Sequence, residues 1–337
     1  MNLLSTPFDP ELSPGARNAV RACLRIQPEE KVTVIADRES IEIAAAIARE
    51  VEAVGAPARH FVLEDLTPRP LVDMPAAVLE DLETSRVSIF SVVAQTGELR
   101  SRMQMTEVVN RRKIRHAHMV NISRRIMMEG MRADYGAVDA LSLRLLDIVR
   151  PCREVRAENP AGTRIVASMN PDYKWLKTSG IISENTWGNL PGGEVWTTPG
   201  EVNGVFVVDG VVGDYLCAKY GDLGRTPLTL IVKENRLAEA HCANKELEDE
   251  FWRYTHTDEN SDRVGEFAIG TNIGVRDVIG NILQDEKIPG VHIAFGNPYG
   301  DHTGAQWFSS THIDVVGRKF DIWADERQLM RAGEFLV

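Results

Sequence analysis

Residues 31–37, KVTVIAD, decide the fold of the first half of the chain, because this short run of apolar and β-branched residues predicts a buried strand. The segment that follows, residues 39–55, places Ile43, Ile47 and Val51 at helical spacing. A buried strand that leads directly into an amphipathic helix is the repeating unit of a parallel sheet with helices on its faces. The opening segment therefore predicts an α/β fold.

The same alternation continues outward from this stretch to about residue 149. Further strands are predicted at residues 58–64, 87–93 and 116–122, and helices at residues 75–83, 99–112 and 137–149. The turn after the first strand, residues 37–40 (DRES), contains neither a Gly-x-Gly-x-x-Gly nor a Gly-Lys-Ser/Thr motif, which argues against a dinucleotide or P-loop site. We expect residues 1–158 to form an α/β scaffold domain.

At the turn-rich stretch of residues 158–163, ENPAGT, the pattern of predicted secondary structure changes. Beyond it the sequence predicts short strands between Gly, Pro and Asn turns, at residues 163–168, 195–198, 205–212 and 229–232. Residues 244–254 are the one segment there with a strong helical pattern. We therefore expect residues 159–337 to form an α+β domain that is mainly antiparallel β-sheet.

Composition and charge exclude several classes of protein. The chain has 337 residues, of which 43% are hydrophobic and 26% charged, as in an ordinary soluble enzyme. Its net charge is −11, and residues 161–337 carry −10 of it, which argues against a nucleic-acid partner. The acidic excess has two open explanations, solubility or a carboxylate-rich metal site.

Membrane insertion and export are not expected. The longest stretch without Asp, Glu, Lys or Arg, residues 288–300, is shorter than the ~20 apolar residues that cross a bilayer. Residues 1–15 show no basic segment followed by an apolar one, so no secretory signal is expected there. We expect a cytoplasmic protein without a membrane partner.

Two carboxylates occupy positions where an ordinary surface residue is the simplest alternative. A Pro-Gly-Gly turn at residues 191–193 brings Glu194 to the start of a strand, and glycine lets the backbone approach a site closely. Glu266 stands in the stretch GEFAIGTN, residues 265–272, which is otherwise suited to burial. An isolated buried charge is costly, so a buried Glu266 would require a cation or an arginine beside it.

Two further patches contain histidine. In residues 285–299, DEKIPGVHIAFGNPY, Glu286 precedes His292 and a Gly/Asn/Pro turn ends in Tyr299, so that an imidazole and a phenol could face one cleft. A single histidine on a strand is otherwise often a core residue. In the motif His312-Ile313-Asp314, both polar side chains point to the same face if the segment is a strand. That pair is weak alone and gains weight from the other patches in the same acidic half.

Together the patches supply four carboxylates and two imidazoles: Glu194, Glu266, Glu286, His292, His312 and Asp314. A single catalytic zinc ion needs three protein ligands and a water. Six ligands suit two divalent ions about 3.5–4 Å apart, which polarise a carbonyl and activate a water. The set therefore predicts hydrolysis of an amide or an ester.

The motifs at residues 189–195, 265–272, 285–297 and 312–314 resemble, in this order, those of the aminopeptidase T / aminopeptidase S family of dinuclear metallo-aminopeptidases. The turn at residues 159–163 resembles that family's interdomain turn. The resemblance covers about residues 150–320 and implies a homodimer that cleaves an N-terminal peptide bond or a related small amide.

The resemblance also implies roles for individual residues. It assigns two divalent ions (Zn, Co or Mn) to Glu194, Glu266, Glu286, His292, His312 and Asp314. It assigns stabilisation of the oxyanion to the phenol of Tyr299. One departure concerns Glu286, which stands six residues before His292 where the family has five.

The same superfamily contains Fe(II) dioxygenases that open 2,5-dihydroxypyridine rings, which the chain resembles more distantly. These enzymes hold one Fe(II) with two histidines and an aspartate, and His312 and Asp314 match two of those ligands. Their other histidine falls where this chain has Glu266, and they lack the counterpart of His292, so both positions favour the hydrolase. A mononuclear Fe(II) site remains the alternative, and a non-catalytic protein that kept the fold is a third.

Overall fold

The computed structural model of the chain describes residues 2–184 and 187–337. It divides into two compact units. The first comprises Met1–Gly136 and Gly180–Gly192, and the second comprises Ala137–Ser179 and Gly193–Val337. Among the described residues, no helix combines the length and the apolarity that a membrane span requires.

The elements are numbered in chain order. The strands are β1 (Val32–Ala36), β2 (Ala58–Val62), β3 (Val87–Val92), β4 (Arg115–Val120), β5 (Glu154–Glu158), β6 (Arg164–Ser168), β7 (Leu176–Lys177), β8 (Gly188–Asn189), β9 (Glu194–Thr197), β10 (Glu201–Val208), β11 (Leu228–Lys233), β12 (Arg236–Cys242), β13 (Val264–Gly270), β14 (Gly290–Gly296), β15 (His312–Val316), β16 (Asp321–Ala324), β17 (Arg327–Arg331) and β18 (Glu334–Phe335). The α-helices are α1 (Ser13–Arg17), α2 (Ile41–Val54), α3 (Ala76–Leu82), α4 (Leu99–Arg112), α5 (Arg124–Met128), α6 (Tyr135–Val149), α7 (Asp214–Tyr220), α8 (Lys245–Tyr254), α9 (Ile282–Asp285) and α10 (Gly300–Thr303).

The first unit contains a parallel sheet with the strand order β2-β1-β3-β4-β8. Every residue of β1 and of β3 is buried, as expected for central strands covered on both faces. Helix α2 turns its alanine- and isoleucine-rich face inward and ends at Val54. Gly55 follows it, with a φ of 85° that suits the left-handed position after a helix. The predicted α/β architecture of the first half is confirmed.

The second unit contains two antiparallel sheets. The larger has the strand order β12-β11-β10-β6-β5-β16-β17-β18, and the smaller has the order β15-β14-β13-β9-β7. Apolar side chains from both sheets belong to one buried core, which also includes residues of α6 and α8. The predicted α+β, mainly antiparallel second half is therefore confirmed, and the predicted helix at residues 244–254 corresponds to α8.

The turn at residues 159–163 lies within the second unit. Its ends are joined by hydrogen bonds from the Asn159 amide to the Thr163 carbonyl and from the Thr163 amide to the Asn159 side chain, so it closes the β5–β6 hairpin. Helix α6, which precedes this hairpin, contributes Leu145 and Val149 to the core of the second unit. For this reason the second unit begins near residue 137, earlier in the chain than the change of sequence pattern at residue 158.

Candidate metal centre

One face of the smaller antiparallel sheet carries five of the six predicted metal ligands. Glu194 is the first residue of β9, Glu266 the third of β13 and His292 the third of β14. His312 and Asp314 are the first and third residues of β15. Four neighbouring strands thus contribute side chains to one patch within the second unit.

The register of the strands explains why these side chains share a face. Ala268 lies opposite His292, and Ala294 lies opposite both Glu266 on β13 and Asp314 on β15. Directly opposed residues point to the same side of a sheet, and the side alternates along each strand. The two alanines between the ligands are small, which leaves space above the sheet for bound groups.

The opposite face of the same strands is apolar and buried. Phe267, Ile293, Phe295, Ile313 and Val315 alternate with the ligand positions and pack into the core of the second unit. Strict alternation of apolar and polar residues, with one face in the core, fixes the register strongly, because a slip of one residue would turn the predicted ligands into the apolar core. The core thereby holds the ligand set in place.

A β-bulge directs Glu266 to this face. The register between β13 and β14 shifts between Val264 and Glu266, which leaves Gly265 as the extra residue. A Cβ atom at Gly265 would lie 2.4 Å from the carbonyl oxygen of Gly296, so only glycine fits this close approach. If Gly265 occupied a regular position in the ladder, the alternation that follows Val264 would turn Glu266 into the core.

The spacing of the ligand atoms suits a metal ion. The Nε2 atom of His292 lies 3.6 Å from Glu194 Oε2 and 3.4 Å from Glu266 Oε1. The Nε2 atom of His312 lies 3.6 Å from Glu266 Oε2 and 3.4 Å from Asp314 Oδ1. Two ligand atoms around one tetrahedral zinc ion are separated by about 3.4 Å, given bonds of about 2.0–2.2 Å. Glu266 faces one imidazole with each of its oxygens, as a bridging carboxylate would.

The backbone holds His312 in a suitable orientation. Its Nδ1 atom lies 2.9 Å from the carbonyl oxygen of Asn297, to which it donates a hydrogen bond. A ring that donates from Nδ1 keeps Nε2 for a metal ion, which is the usual arrangement of histidine ligands.

The charges at the site are strongly coupled. Burial disfavours the imidazolium forms, but Glu266, Glu194 and Asp314 raise the pKa of His292. Tyr299 and then Asp314 outweigh burial at His312 and raise its pKa well above the ordinary value. Burial opposes ionisation of Asp314, but His312 outweighs it and lowers the pKa of that carboxyl to about 2. Protons and a divalent cation therefore compete for these ligand atoms.

The sixth predicted ligand, Glu286, has a different partner. It follows α9, and its Oε1 atom lies 2.6 Å from the ammonium of Lys287, which also lies 2.7 Å from Glu194 Oε1. Burial raises the pKa of Glu286 to about 8, with the carboxylates of Asp314 and Glu194 adding to the effect. Lys287 received no role in the sequence analysis. The sequence did contain one indication of its role. Lys287 directly precedes a stretch without charged residues, and lysine is almost never buried without a partner.

Tyr299 borders the site. Its ring lies 4.6 Å from that of His312 and 6.0 Å from that of Trp196, measured between centroids. It has a φ of 49°, a left-handed conformation that costs a residue with a large side chain about 1–3 kcal/mol. Its amide donates a hydrogen bond to the side chain of Asn297, which helps to hold this backbone.

A cleft of about 450 Å³ opens beside Tyr299. Its lining includes Asp301, His302, Trp307 and the exposed Phe308. The cleft therefore offers both charged and aromatic groups to a ligand next to the proposed metal centre.

His116 and His118 lie in β4 of the first unit. Their rings are buried, with His116 Nε2 3.1 Å from His118 Nδ1 and His116 Nδ1 2.8 Å from the Ser88 hydroxyl. The ring of His118 also stacks on Phe90. Burial lowers the pKa of both histidines, that of His116 to about 3.

Comparison with known proteins places this geometry in context. The fold is similar to that of AmpT from Thermus thermophilus, with a TM-score of 0.71, 18% identity, and coverage of 97% of this chain and 99% of that chain. It is also similar to that of 2,5-dihydroxypyridine dioxygenase from Pseudomonas putida KT2440, with a TM-score of 0.69, 14% identity and coverage of 97% of both chains. Among curated protein sequences, none matches the chain significantly.

A family model provides the assignment. Residues 149–327, more than half of the chain, match the model of the thermophilic metalloproteases (M29). The matched segment contains all six predicted ligands and Tyr299. The chain therefore belongs to the thermophilic metalloprotease family M29, which makes it a metal-dependent peptidase.

Proposed function

We propose that this metallopeptidase is an aminopeptidase, which hydrolyses the first peptide bond of a small peptide or a related small amide. The observation that carries the proposal is the set of buried ligand atoms on one face of a sheet, with Glu266 between two imidazoles. Buried carboxylates need cations, and family membership makes a divalent metal ion the natural one.

We assign two divalent ions, Zn, Co or Mn, to two groups of ligands that share Glu266. The first group is Glu194, Glu266 and His292, whose ligand atoms all lie within 4.8 Å of one another. The second is Glu266, His312 and Asp314. Ions bound there would polarise the scissile carbonyl and lower the pKa of a bound water.

The phenol of Tyr299 completes the site. Its ring packs against His312 and lines the cleft, and we assign its hydroxyl the role of a donor to the substrate carbonyl. A donor aimed at the oxygen where negative charge develops stabilises the transition state. Asp301 lines the same cleft and offers a carboxylate to the free amino group of a peptide.

Replacement of His312 tests the assignment. The variant His312→Ala should lose at least 100-fold in kcat/KM on aminoacyl amides, while its circular dichroism stays that of the wild type. The matched control is His241→Ala, an exposed histidine 3.0 Å from Glu239, which should retain activity. Full activity of His312→Ala would contradict the proposed site.

Elemental analysis of protein purified without added metal separates the two candidate chemistries. About two equivalents of Zn, Mn or Co per chain are expected for the peptidase. One equivalent of iron, together with oxygen consumption on 2,5-dihydroxypyridine, would instead support the dioxygenase alternative.

Two further expectations accompany the proposal. The resemblance to the aminopeptidases implies a homodimer, which light scattering coupled to gel filtration measures directly. A cytoplasmic location follows from the absence of an export signal in residues 1–15 and is tested by fractionation of the source cells.

A further inference from the structure

Lys287 places a permanent cation inside the proposed metal centre. Its side chain is 3% exposed, and its ammonium lies 2.7 Å from Glu194 Oε1 and 2.6 Å from Glu286 Oε1. Breaking a buried pair of this kind leaves an uncompensated charge, so lysine and carboxylates depend on one another. Lys287 is therefore part of the charge balance of the site.

The two oxygens of Glu194 have different partners. Oε1 accepts hydrogen bonds from the Lys287 ammonium and from the Thr178 hydroxyl, the latter at 2.5 Å. Oε2 faces Nε2 of His292 at 3.6 Å. The contacts to Oε1 fix the orientation of the carboxylate and leave Oε2 for a metal ion. Residues that hydrogen-bond to a metal ligand commonly orient it in this way.

Glu286 forms an ion pair with the same ammonium. An ammonium within hydrogen-bonding distance of an oxygen repels a divalent ion from that oxygen, and repulsion is strong where water is excluded. The ion pair therefore competes with metal binding at Oε1 of Glu286. The facing ligand atoms around His292 belong to Glu194 and Glu266 and do not include Glu286, and those of His312 face Glu266 and Asp314.

We propose that Lys287 is a positioning residue that acts as an internal cation: it holds Glu194 as a one-oxygen ligand and takes Glu286 as its counter-ion, so that Glu286 is not a metal ligand. This inference rests on the metal centre of the proposed function. It reduces the ligand set to Glu194, Glu266, His292, His312 and Asp314.

Metal binding tests the proposal without reference to turnover. The whole chain, stripped with a chelator, is titrated with Co²⁺ by calorimetry, and bound equivalents are counted by elemental analysis. Glu286→Gln should bind as many equivalents as the wild type, with a Kd within about threefold, whereas Glu194→Gln should bind at least tenfold more weakly. The matched control is Glu250→Gln, a surface glutamate whose partner is also a lysine, Lys219 at 2.9 Å.

Removal of the ammonium supplies the second arm. Lys287→Met frees the Glu286 carboxylate, while the Thr178 hydroxyl still donates to Glu194 Oε1, so Co²⁺ should bind at least tenfold more tightly or with one additional equivalent. The double variant Lys287→Met/Glu286→Gln should lose this gain, a reversal that a merely structural lysine would not produce, and any binding weaker than that of the wild type measures the hold of Lys287 on Glu194.

The outcomes are distinguishable. Loss of an equivalent in Glu286→Gln alone, with normal binding by the wild type, would overturn the role of Lys287 and leave the metal centre intact. Unchanged binding by a folded Lys287→Met would overturn it as well, and if that variant does not fold, Glu286→Gln decides. Failure of the wild type to bind Co²⁺ would contradict the proposed function itself.

Discussion

Arg69 shows at the scale of a single residue how the first unit balances buried charge. Its guanidinium lies 2.7 Å from Asp37 Oδ2 and 2.5 Å from Glu98 Oε2, and all three side chains are at most 4% exposed. It also donates to the carbonyl oxygen of Val93. Asp37 follows β1 and Val93 follows β3, so the network closes the carboxyl ends of two adjacent strands.

Arg69→Met should destabilise the protein by about 3–5 kcal/mol, because it leaves two buried carboxylates without their counter-ion. Urea unfolding monitored by circular dichroism measures the change. The matched control is Arg38→Met, whose partner Asp65 lies 3.3 Å away in an exposed pair, and which should cost at most about 1 kcal/mol. Equal costs for the two variants would mean that burial of the network has no energetic consequence.

At the scale of one element, strand β13 depends on its bulge. The apolar residues after Gly265 indicate a buried strand from the sequence. A β-bulge, which is one extra residue in the pairing with the next strand, cannot be recognised from the sequence pattern. Without the partner strand, alternation alone cannot tell whether Glu266 points to the core or to the ligand face.

Gly265→Ala should push β13 away from β14, since the new Cβ would lie 2.4 Å from the carbonyl oxygen of Gly296. We expect a loss of about 1–3 kcal/mol in the free energy of unfolding and at least a tenfold loss of Co²⁺ affinity. As a control, the new Cβ of Gly188→Ala in β8 would lie 3.5 Å from the Ile182 side chain, an ordinary contact and its nearest among the described residues, so this variant should retain metal binding. Unaltered Co²⁺ affinity in Gly265→Ala would show that the bulge does not position Glu266.

On the scale of the whole molecule, removal of metal should affect the second unit, because every proposed ligand lies in it. At a free concentration 100 times the Kd, a bound ion stabilises the folded state by about 2.7 kcal/mol. Chelation should therefore accelerate amide hydrogen exchange most in β9, β13, β14 and β15, as measured by mass spectrometry. Exchange that is the same with and without chelator would contradict a metal centre on these strands.

The sequence predicts the two halves of the fold well, because hydrophobic periodicity is local: β1 and α2 follow directly from residues 31–55. It also identifies residues suited to bind metal. What it does not reveal depends on contacts between distant segments. Lys287 and Glu194 meet only through the folding of α9 against the sheet, and the end of the first unit depends on which core receives α6.

The alanines between the ligands have a consequence for how such a site changes over time. Ala268 and Ala294 occupy the ligand face with no donor atom, about 5 Å from the opposed residue of the next strand. A single substitution at either position could add a metal-ligand atom to this face, while the apolar face and the backbone stay unchanged. Substitutions on this one face can therefore change the set of bound groups while the fold is kept, and the same fold is found in a chain of the metalloprotease family M29 and in a 2,5-dihydroxypyridine dioxygenase.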